Sequence, residues 1–376
     1  MVRHILVIAG VGEISAGAVE PAIAQITLSR AVNNESRLAP GCVSPAVLRA
    51  TLFASPAVTH FYPGQKIELY TLLPDGTRRK EGVFYLDTAV WSARRRCRIT
   101  ARDALGKLDV DVAGYINSLT GWPYRLGALA GKICSYCGLT LTTTSFPWSD
   151  LYVEKGIYYY VTAAQVMGWI AAIAGRFCRA SGNAGVEFGW YTATPSRVGV
   201  RSLPGKARLE FMGGALFVEA QKLDLTDCVL TATGATVTYD SGVLTLVLPE
   251  HPPVYGCLQG GLHRQETPVS PPDGVRIGYS YAAMCKPYPE GGDVLTITGI
   301  RLLKELPVAQ MTRLAATVYD DLKNLSYTPC RLRVSAEADI LPGQILTFSD
   351  GVGEYKTLVT ATERVGTVTE IKGGTL

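Results

Sequence analysis

The sequence predicts a mainly β protein with α+β insertions, and three observations carry that expectation. Its 39 glycines and 21 prolines cut the chain into short runs of alternating apolar and polar residues, as strands joined by turns would be written. Three stretches place apolar residues at helical spacing. One turn and strand is also written twice: residues 62–69 read YPGQKIEL and residues 341–348 read LPGQILTF.

The elements follow in order. Leu48, Ala50, Leu52 and Ala54 alternate with Arg49, Thr51 and Phe53, which gives a strand with one apolar face. A Pro63-Gly64 turn leads into a strand through Ile67 and Leu69. Leu73-Pro74-Asp75-Gly76 then reverses the chain, because proline pre-sets one turn dihedral and glycine accepts a positive φ, and residues 83–87 return as a hairpin. Next comes RRRCRITAR, a strand with Arg94, Arg96 and Arg98 on one face and Arg95, Cys97, Ile99 and Ala101 on the other.

Near the C-terminus the same parts recur. Pro342-Gly343-Gln344 precedes a strand through Ile345 and Phe348, then an Asp350-Gly351 turn, a return strand over 355–362, a Val365-Gly366 turn and a last strand over 367–371. The matching order predicts a duplicated β-unit.

Helical segments lie between. Leu126, Leu129, Ala130, Ile133, Cys134 and Cys137 share one stripe, and Gly138 stands where a left-handed C-cap would end the helix. Thr162 and Gln165 have capping-box spacing ahead of a helix over 166–177, which is apolar nearly all round and so is expected to be buried on several sides. A third helix begins after Pro307, with Met311, Leu314, Ala315, Val318, Leu322 and Leu325 on one stripe and Arg313, Asp320 and Lys323 outside it, and ends before Pro329. Residues 252–290 are rich in proline and glycine and read as loops around a small inserted lobe.

Length and charge bound the function. A chain of 376 residues exceeds one ordinary core. Lys+Arg at 36 against Asp+Glu at 32 leaves +4, spread thinly, which argues against a dedicated nucleic-acid grip. Charged residues make up 18% beside 47% hydrophobic, and 19 Tyr and 5 Trp are available, a composition that points to surface covered by subunit contact. No apolar run reaches the roughly 18 to 20 residues needed to cross a bilayer. The longest, 161–175, contains Gln165 and stops at Arg176. The opening MVRHILVIAGVG starts like a secretory signal, but Glu13 interrupts it. Nine cysteines leave at least one thiol unpaired and lack the density of a disulfide scaffold, so a reducing site of synthesis is expected.

Few residues have the spacing of a chemical site. Cys134-Ser-Tyr-Cys137 lacks the second pair of a zinc ribbon and does not open a helix after a strand, so both are read as core cysteines. His4, His60, His251 and His263 show no metal-ligand spacing and are read as surface or turn residues. Neither a G-x-S-x-G elbow nor a phosphate loop is present. The pairs Asp109/Asp111 and Asp320/Asp321 are read as solvated faces rather than a glycosidase pair. The Arg94–Arg98 run is the strongest local charge, but it has only Trp91 beside it where a nucleic-acid reader would interleave aromatics. It is read as solvent-facing or subunit-facing, with DNA or lipid contact as the alternative. No catalytic, cofactor-binding or metal-binding residue is assigned, and no cofactor is expected.

Four pieces in order carry a resemblance: GVFYLDTAVW followed by CRITARDALGKLD (82–109), TAAQVMGWIAAIAGRFC followed by a small-residue turn and VEF (162–188), MTRLAATVYDDLKNLSYTPCRLRV (311–334), and DILPGQILTFSDGVGEYKTLVTATERVG (339–366). Together they resemble the bacteriophage tail hub proteins, which include the baseplate hub of contractile tails and the N-terminal region of siphophage tail-associated lysins. The resemblance implies two tail-tube-like antiparallel β-barrels plus smaller α/β lobes. The domains it implies are a first barrel at 1–111, an α/β insert lobe at 112–206, a second barrel with its helix at 207–240 and 305–376, and a small inserted lobe at 241–304.

By the same resemblance the protein would be a structural hub. Three chains would close a six-barrel ring that caps the tail tube, meets the distal tail, tail tube, tape-measure and tip or fibre proteins, and opens for DNA at ejection. DNA would pass without sequence-specific binding and the protein would not insert stably in a membrane. It would reside in the virion tail tip or baseplate after synthesis in the host cytoplasm. Many relatives carry a peptidase, lysozyme or fibre segment beyond the hub; here the chain stops at Leu376, soon after the last expected strand, so no enzymatic role is expected. The rival readings are a tail-associated cell-wall-degrading enzyme and a receptor-binding β-protein.

Overall fold

A strand whose apolar residues alternate buries one face, and its remaining problem is its edges; the first seven strands solve it by closing on themselves. In the computed structural model these are β1 (Arg3–Ile8), β2 (Gly12–Ser15), β3 (Ala22–Ala31), β4 (Val47–Phe53), β5 (Lys66–Leu72), β6 (Arg78–Ala93) and β7 (Arg96–Arg102). The structure describes the chain except residues 1–2, 16–21, 36, 54–59, 74–75, 94, 200–206, 213–214, 219–220, 224–235, 241–242, 248–262, 265–266, 336–338 and 350–353. Of the strand residues 93, 195–199, 335 and 349, and of those described within 207–264, it describes the backbone alone. Contacts group the chain into two units, Met1–Tyr191 with Pro268–Tyr327, and Thr192–Thr267 with Thr328–Leu376.

In the first unit the hydrogen-bonded order is β1-β5-β6-β7-β4-β3-β2 and back to β1. Every pairing is antiparallel except the closing one, where Ser15 pairs Ala22 in parallel, and the result is a closed seven-stranded barrel. Alternation fills its interior: Leu48, Ala50 and Leu52 of β4, Cys97, Ile99 and Ala101 of β7, Ile67 and Leu69 of β5, and Phe84 and Leu86 of β6 form one buried cluster. The predicted faces of β4 and β7 are therefore the observed ones, with Arg96 and Arg98 outward, although Arg95 lies exposed in the turn. Ala54 and Arg94 fall outside the described residues.

The repeated turns match atom by atom. Gly64 and Gly343 take φ of 80° and 90°, a left-handed backbone that glycine adopts without strain. Each sends its N–H across to the second strand of its meander, Gly64 to the Leu86 carbonyl at 2.7 Å and Gly343 to that of Val359 at 2.8 Å. The next residue, Gln65 or Gln344, closes the turn through its N–H to Tyr62 or Leu341, and its side-chain Oε1 accepts the N–H of that same residue at 3.3 or 2.9 Å.

The register that follows is also shared. Ile67 pairs Phe84 and Leu346 pairs Thr357, the same offsets from glycine and acceptor in each copy. One residue after each acceptor the second strand bulges, at Asp87 in β6 and at Thr360 in the Glu354–Val365 strand. Both bulged side chains bond the third strand: Asp87 accepts from Arg102 at 2.7 Å, and Thr360 donates to the Lys372 carbonyl at 3.0 Å. In both copies the strand that precedes the turn in sequence, β4 or Thr328–Ser335, lies antiparallel on the far side of the third strand. The same four-stranded arrangement thus occurs twice in the described chain.

The first unit continues past the barrel into an α/β lobe. Its helices are α1 (Ala113–Ser118), α2 (Leu126–Tyr136), α3 (Ala163–Ala174) and α4 (Val308–Leu322). Thr162 and Gln165 form the expected capping box, with Gln165 N–H to Thr162 Oγ1 at 3.2 Å and Thr162 N–H to Gln165 Oε1 at 3.0 Å. The helix starts three residues earlier than predicted and ends earlier too: Gly175 turns left-handed at φ 67°, and Phe177–Ser181 becomes a strand paired with Gly185–Gly189. Val166, Met167, Ile170, Ala171 and Ile173 are all fully buried, as an all-round apolar helix requires.

Two further expectations change. The Met311, Leu314, Ala315, Val318 and Leu322 stripe of α4 is buried, but the helix stops before Leu325, and α4 belongs to the first unit, where it packs on the Gly274–Ser280 strand. That strand corrects the loop reading of 252–290. It carries a parallel neighbour, Val294–Ile297, and a short antiparallel one, Ala283–Met284, which are too brief to show through the surrounding Pro and Gly. Residues 252–262 lie outside the described residues.

In the second unit, Thr192–Gly199 lies parallel to Gln344–Ser349, which begins the C-terminal meander. Leu332, Val334, Ile340, Leu346, Phe348, Val359 and Ile371 form its core, with Tyr355 against it. Five strands between 207 and 247 make a separate antiparallel sheet, in the order Gln221–Leu223, Ala215–Val218, Ala207–Met212, Val243–Val247, Thr236–Asp240.

Two tests follow from these contacts. Gln65 is buried and its Nε2 also donates to the Ala9 carbonyl at 2.5 Å. Gln65→Ala should therefore cost about 1–3 kcal/mol in denaturant unfolding, the price of stranding buried partners. Asp103 accepts the Leu105 N–H at 3.0 Å to cap the Ala104–Leu108 turn, and burial pushes its carboxyl from 3.8 up to about 6. The folded state thus holds that proton more tightly than the unfolded chain, so stability is full below about pH 4 and falls as pH rises towards 6. Asp103→Asn should match the wild type in thermal melts at pH 4 and gain on it, on the order of 1 kcal/mol, by pH 7.

Candidate assembly surfaces

The outer wall of the barrel is set by register. Across β4, β7 and β6, Phe53 pairs Arg96, Thr51 pairs Arg98 and Arg98 pairs Val90, while Arg49 sits opposite Thr100. Because paired residues share a face, Arg49, Arg96 and Arg98 stand among exposed Phe53 and Val90. None of these three arginines is ion-paired among the described residues. Trp91 points the other way, packing on the core cluster with its ring 6.0 Å from Phe61. The aromatic beside the arginines is Phe53.

A second surface is the loop between the Tyr152–Val153 strand and α3, and the sequence reading did not single it out. Tyr158 anchors it: its N–H donates to Asn117 Oδ1 at 3.0 Å, its carbonyl accepts from Asn117 Nδ2 at 2.6 Å, and its ring stacks on Trp169. Around that buried ring, Ile157, Tyr159 and Tyr160 project, Tyr159 with 92% of its surface exposed. An exposed isoleucine and two exposed tyrosines beside an anchored one have the composition of an interface core. The available signal was the run GIYYYVT just before the capping box.

The chemical candidates disperse into structural roles. Cys134 is fully buried on α2, and burial, with Cys137 nearby, pushes its thiol up to about 12. Cys137 is not on the stripe; it caps the helix, half-buried, with Gly138 left-handed at φ 67° after it. Cys178 is wholly buried and burial drives its thiol far upward. His4, expected at the surface, is buried in β1 with Nδ1 3.4 Å from Thr71 Oγ1, because β1 lies between β2 and β5. His60 is exposed, His251 is outside the described residues, and the backbone alone is described at His263.

Asp109, Asp111 and Asp320 are exposed, as read from the sequence, Asp321 is partly buried, and each of the four also has a partner. Asp109 meets Arg102 at 3.3 Å, and Asp111 Oδ1 accepts the N–H of Ala113, the first residue of α1, at 2.9 Å. Asp320 pairs Lys323 at 2.8 Å, and Asp321 ties α4 to Arg176 at 2.6 Å. Each carboxylate has a structural partner, and the geometry does not bring two of them across a common cleft. Among the described residues no three His, Cys, Asp or Glu side chains are placed to hold a metal ion, and no helix is long and apolar enough to cross a membrane.

Comparison of the fold gives its class. The chain superposes on the tail protein from Neisseria meningitidis MC58 with a TM-score of 0.52 at 10% identity, covering 99% of this chain and 96% of that one. It superposes on the 43 kDa tail protein of prophage MuSo2 from Shewanella oneidensis with a TM-score of 0.50 at 11% identity, covering 99% and 97%. The chain has the mainly β fold of these two tail proteins. No protein-family model matches it, and no curated protein matches it in sequence.

The thiols provide a test. With its acidity near 12, Cys134 should react with iodoacetamide in the folded protein at pH 8 at least about a thousandfold more slowly than a free cysteine. Peptide mass spectrometry after timed labelling reads this directly; rapid modification of Cys134 would revive a thiol chemistry that the burial argues against.

Proposed function

We infer that the protein is a structural hub of a phage or phage-like tail. Three copies close a ring that caps the tail tube and joins it to distal tail, tape-measure and tip proteins, and the ring opens to let DNA through. The observation that carries this reading is the duplicated four-stranded unit within a chain of tail-protein fold. One copy is part of the closed barrel in the first unit, and the second copy builds a second barrel of the same type in the C-terminal unit. Two barrels per chain allow a three-fold assembly to present six equivalent surfaces to a six-fold tube, which is how closed symmetries of different order are joined.

The surfaces support the reading. Phe53, Val90, Ile157, Tyr159 and Tyr160 offer apolar and aromatic area for subunits and tail partners. A net charge of +4 over 376 residues is compatible with a lumen that DNA crosses without being held, since a dense set of phosphate contacts would slow its passage. The buried thiols and individually paired carboxylates favour a protein that acts by assembling rather than by catalysis.

Native mass spectrometry of the purified chain tests the assembly. A dominant species of three 40.4 kDa chains is expected. A monomer or a dimer at every concentration tried would remove the ring and its task.

A further inference from the structure

The cations of the closed barrel are unevenly matched. Arg30 and Arg79 share Glu81, Arg78 meets Glu13, and Arg102 is held by Asp87 at 2.7 Å and Asp109 at 3.3 Å. Arg49, Arg96 and Arg98 have no such partner among the described residues, and the strands themselves explain why. Neither Asp nor Glu occurs in β3, β4 or β7, and the two carboxylates of β6, Glu81 and Asp87, are already taken. Three neighbouring strands therefore turn only cationic and neutral groups outward.

Register sets the spacing of these charges. Arg96 and Arg98 are alternate residues on one face of β7, about 7 Å apart. Arg98 lies opposite Thr51 and Arg49 opposite Thr100, which makes Arg49 and Arg98 diagonal neighbours at about 7–8 Å. The fold does not require this charge. Three residues past the bulges at Asp87 and Thr360, the first copy of the unit has Val90 opposite Arg98 and the second has Glu363 opposite Glu370. In the second copy Arg333 stands at the place of Thr51 and pairs Glu370 at 3.4 Å. There a cation of the wall finds its anion on the next strand; for Arg49, Arg96 and Arg98 none does.

The pattern selects the occupant. An unmatched guanidinium fits a carboxylate or phosphate through paired N–H donors. Each arginine of β7 also has an exposed apolar residue directly across from it, Phe53 at 45% for Arg96 and Val90 at 58% for Arg98, so the partner must cover apolar surface between its anions. A nucleic-acid backbone brings phosphates without apolar groups among them, and its bases would find one ring, Phe53, because Trp91 packs on the core cluster. Lipid headgroups have no fixed spacing to match. A protein surface sets carboxylates and apolar side chains side by side, about 7 Å apart at alternate residues of a strand or about 5–6 Å apart on one face of a helix. We propose that the β4-β7-β6 wall of the barrel seats an acidic face of a partner protein, one that carries carboxylates among apolar side chains. The inference stands on the wall alone and does not need the three chains to close a ring.

The test uses the purified full chain at about 0.15 M salt, where exposed charges are screened as in a cell. The probes are a random glutamate–tyrosine copolymer, polyglutamate, a single-stranded oligodeoxynucleotide and phosphatidylglycerol vesicles. The copolymer should bind more tightly than any other probe, and Arg49→Gln, Arg96→Gln and Arg98→Gln together should weaken it about tenfold or more, as the loss of three exposed ion pairs would. Phe53→Ser with Val90→Ser should weaken the copolymer and leave polyglutamate unchanged. On the wild-type chain the copolymer should shield the same three arginines from phenylglyoxal, read by peptide mass spectrometry, which decides the matter even if a variant melts early. Tighter binding of the oligonucleotide would make the wall a nucleic-acid contact, and tighter binding of vesicles a lipid contact. No gain of the copolymer over polyglutamate, or no shielding of the three arginines, would leave a solvated face. Each of these results overturns the proposal, whereas a chain that binds as expected but stays monomeric removes the ring and leaves this inference in place.

Discussion

Register is the constraint on which the rest of this structure depends. A β-strand has a side-chain period of two, so a slip of one residue would turn the buried rows of β5, β6 and β7 to solvent and bring Arg96 and Arg98 inward. The Pro-Gly-Gln turn prevents that slip. It places one left-handed glycine so that its N–H reaches one carbonyl, Leu86 in the first copy and Val359 in the second, and glutamine locks the turn from its own side chain. The bulge one residue beyond the acceptor then bends the long middle strand, which a curved wall requires.

With register fixed, the surfaces are fixed as well. The outward rows of β4, β7 and β6 set exposed arginines among exposed Phe53 and Val90. In the lobe beyond the barrel, the Asn117 bonds to Tyr158 and the capping box of α3 anchor the tyrosine loop at its middle and its end. Exposed aromatics beside an anchored residue are the kind of side chain that carries much of an interface's energy.

Much of this was legible in the sequence because it is local. Alternation announced β4 and β7, Thr162 and Gln165 announced α3, and the two Pro-Gly-Gln stretches announced a duplication whose bonding then matched. What was not legible depends on distance. Among the described residues the barrel closes through the pair Ser15 with Ala22, which no local pattern marks. The stripe of α4 predicts a buried helix but not the strand it packs on, and the strands from Gly274 to Ile297 are too short to rise above their prolines and glycines. His4 read as an ordinary histidine until β1 was placed between two neighbours. The exposed tyrosine loop was not legible, because no spacing rule marks which aromatics a fold leaves outside.

The central claim is that one barrel-forming unit occurs twice in each chain and that three chains set the copies in one ring. Electron cryo-microscopy of the native complex at a resolution that traces strands measures it most directly. Six barrels of like strand order at one radius about a three-fold axis are expected. Three barrels, or a C-terminal unit whose strands stay an open sheet, would contradict it.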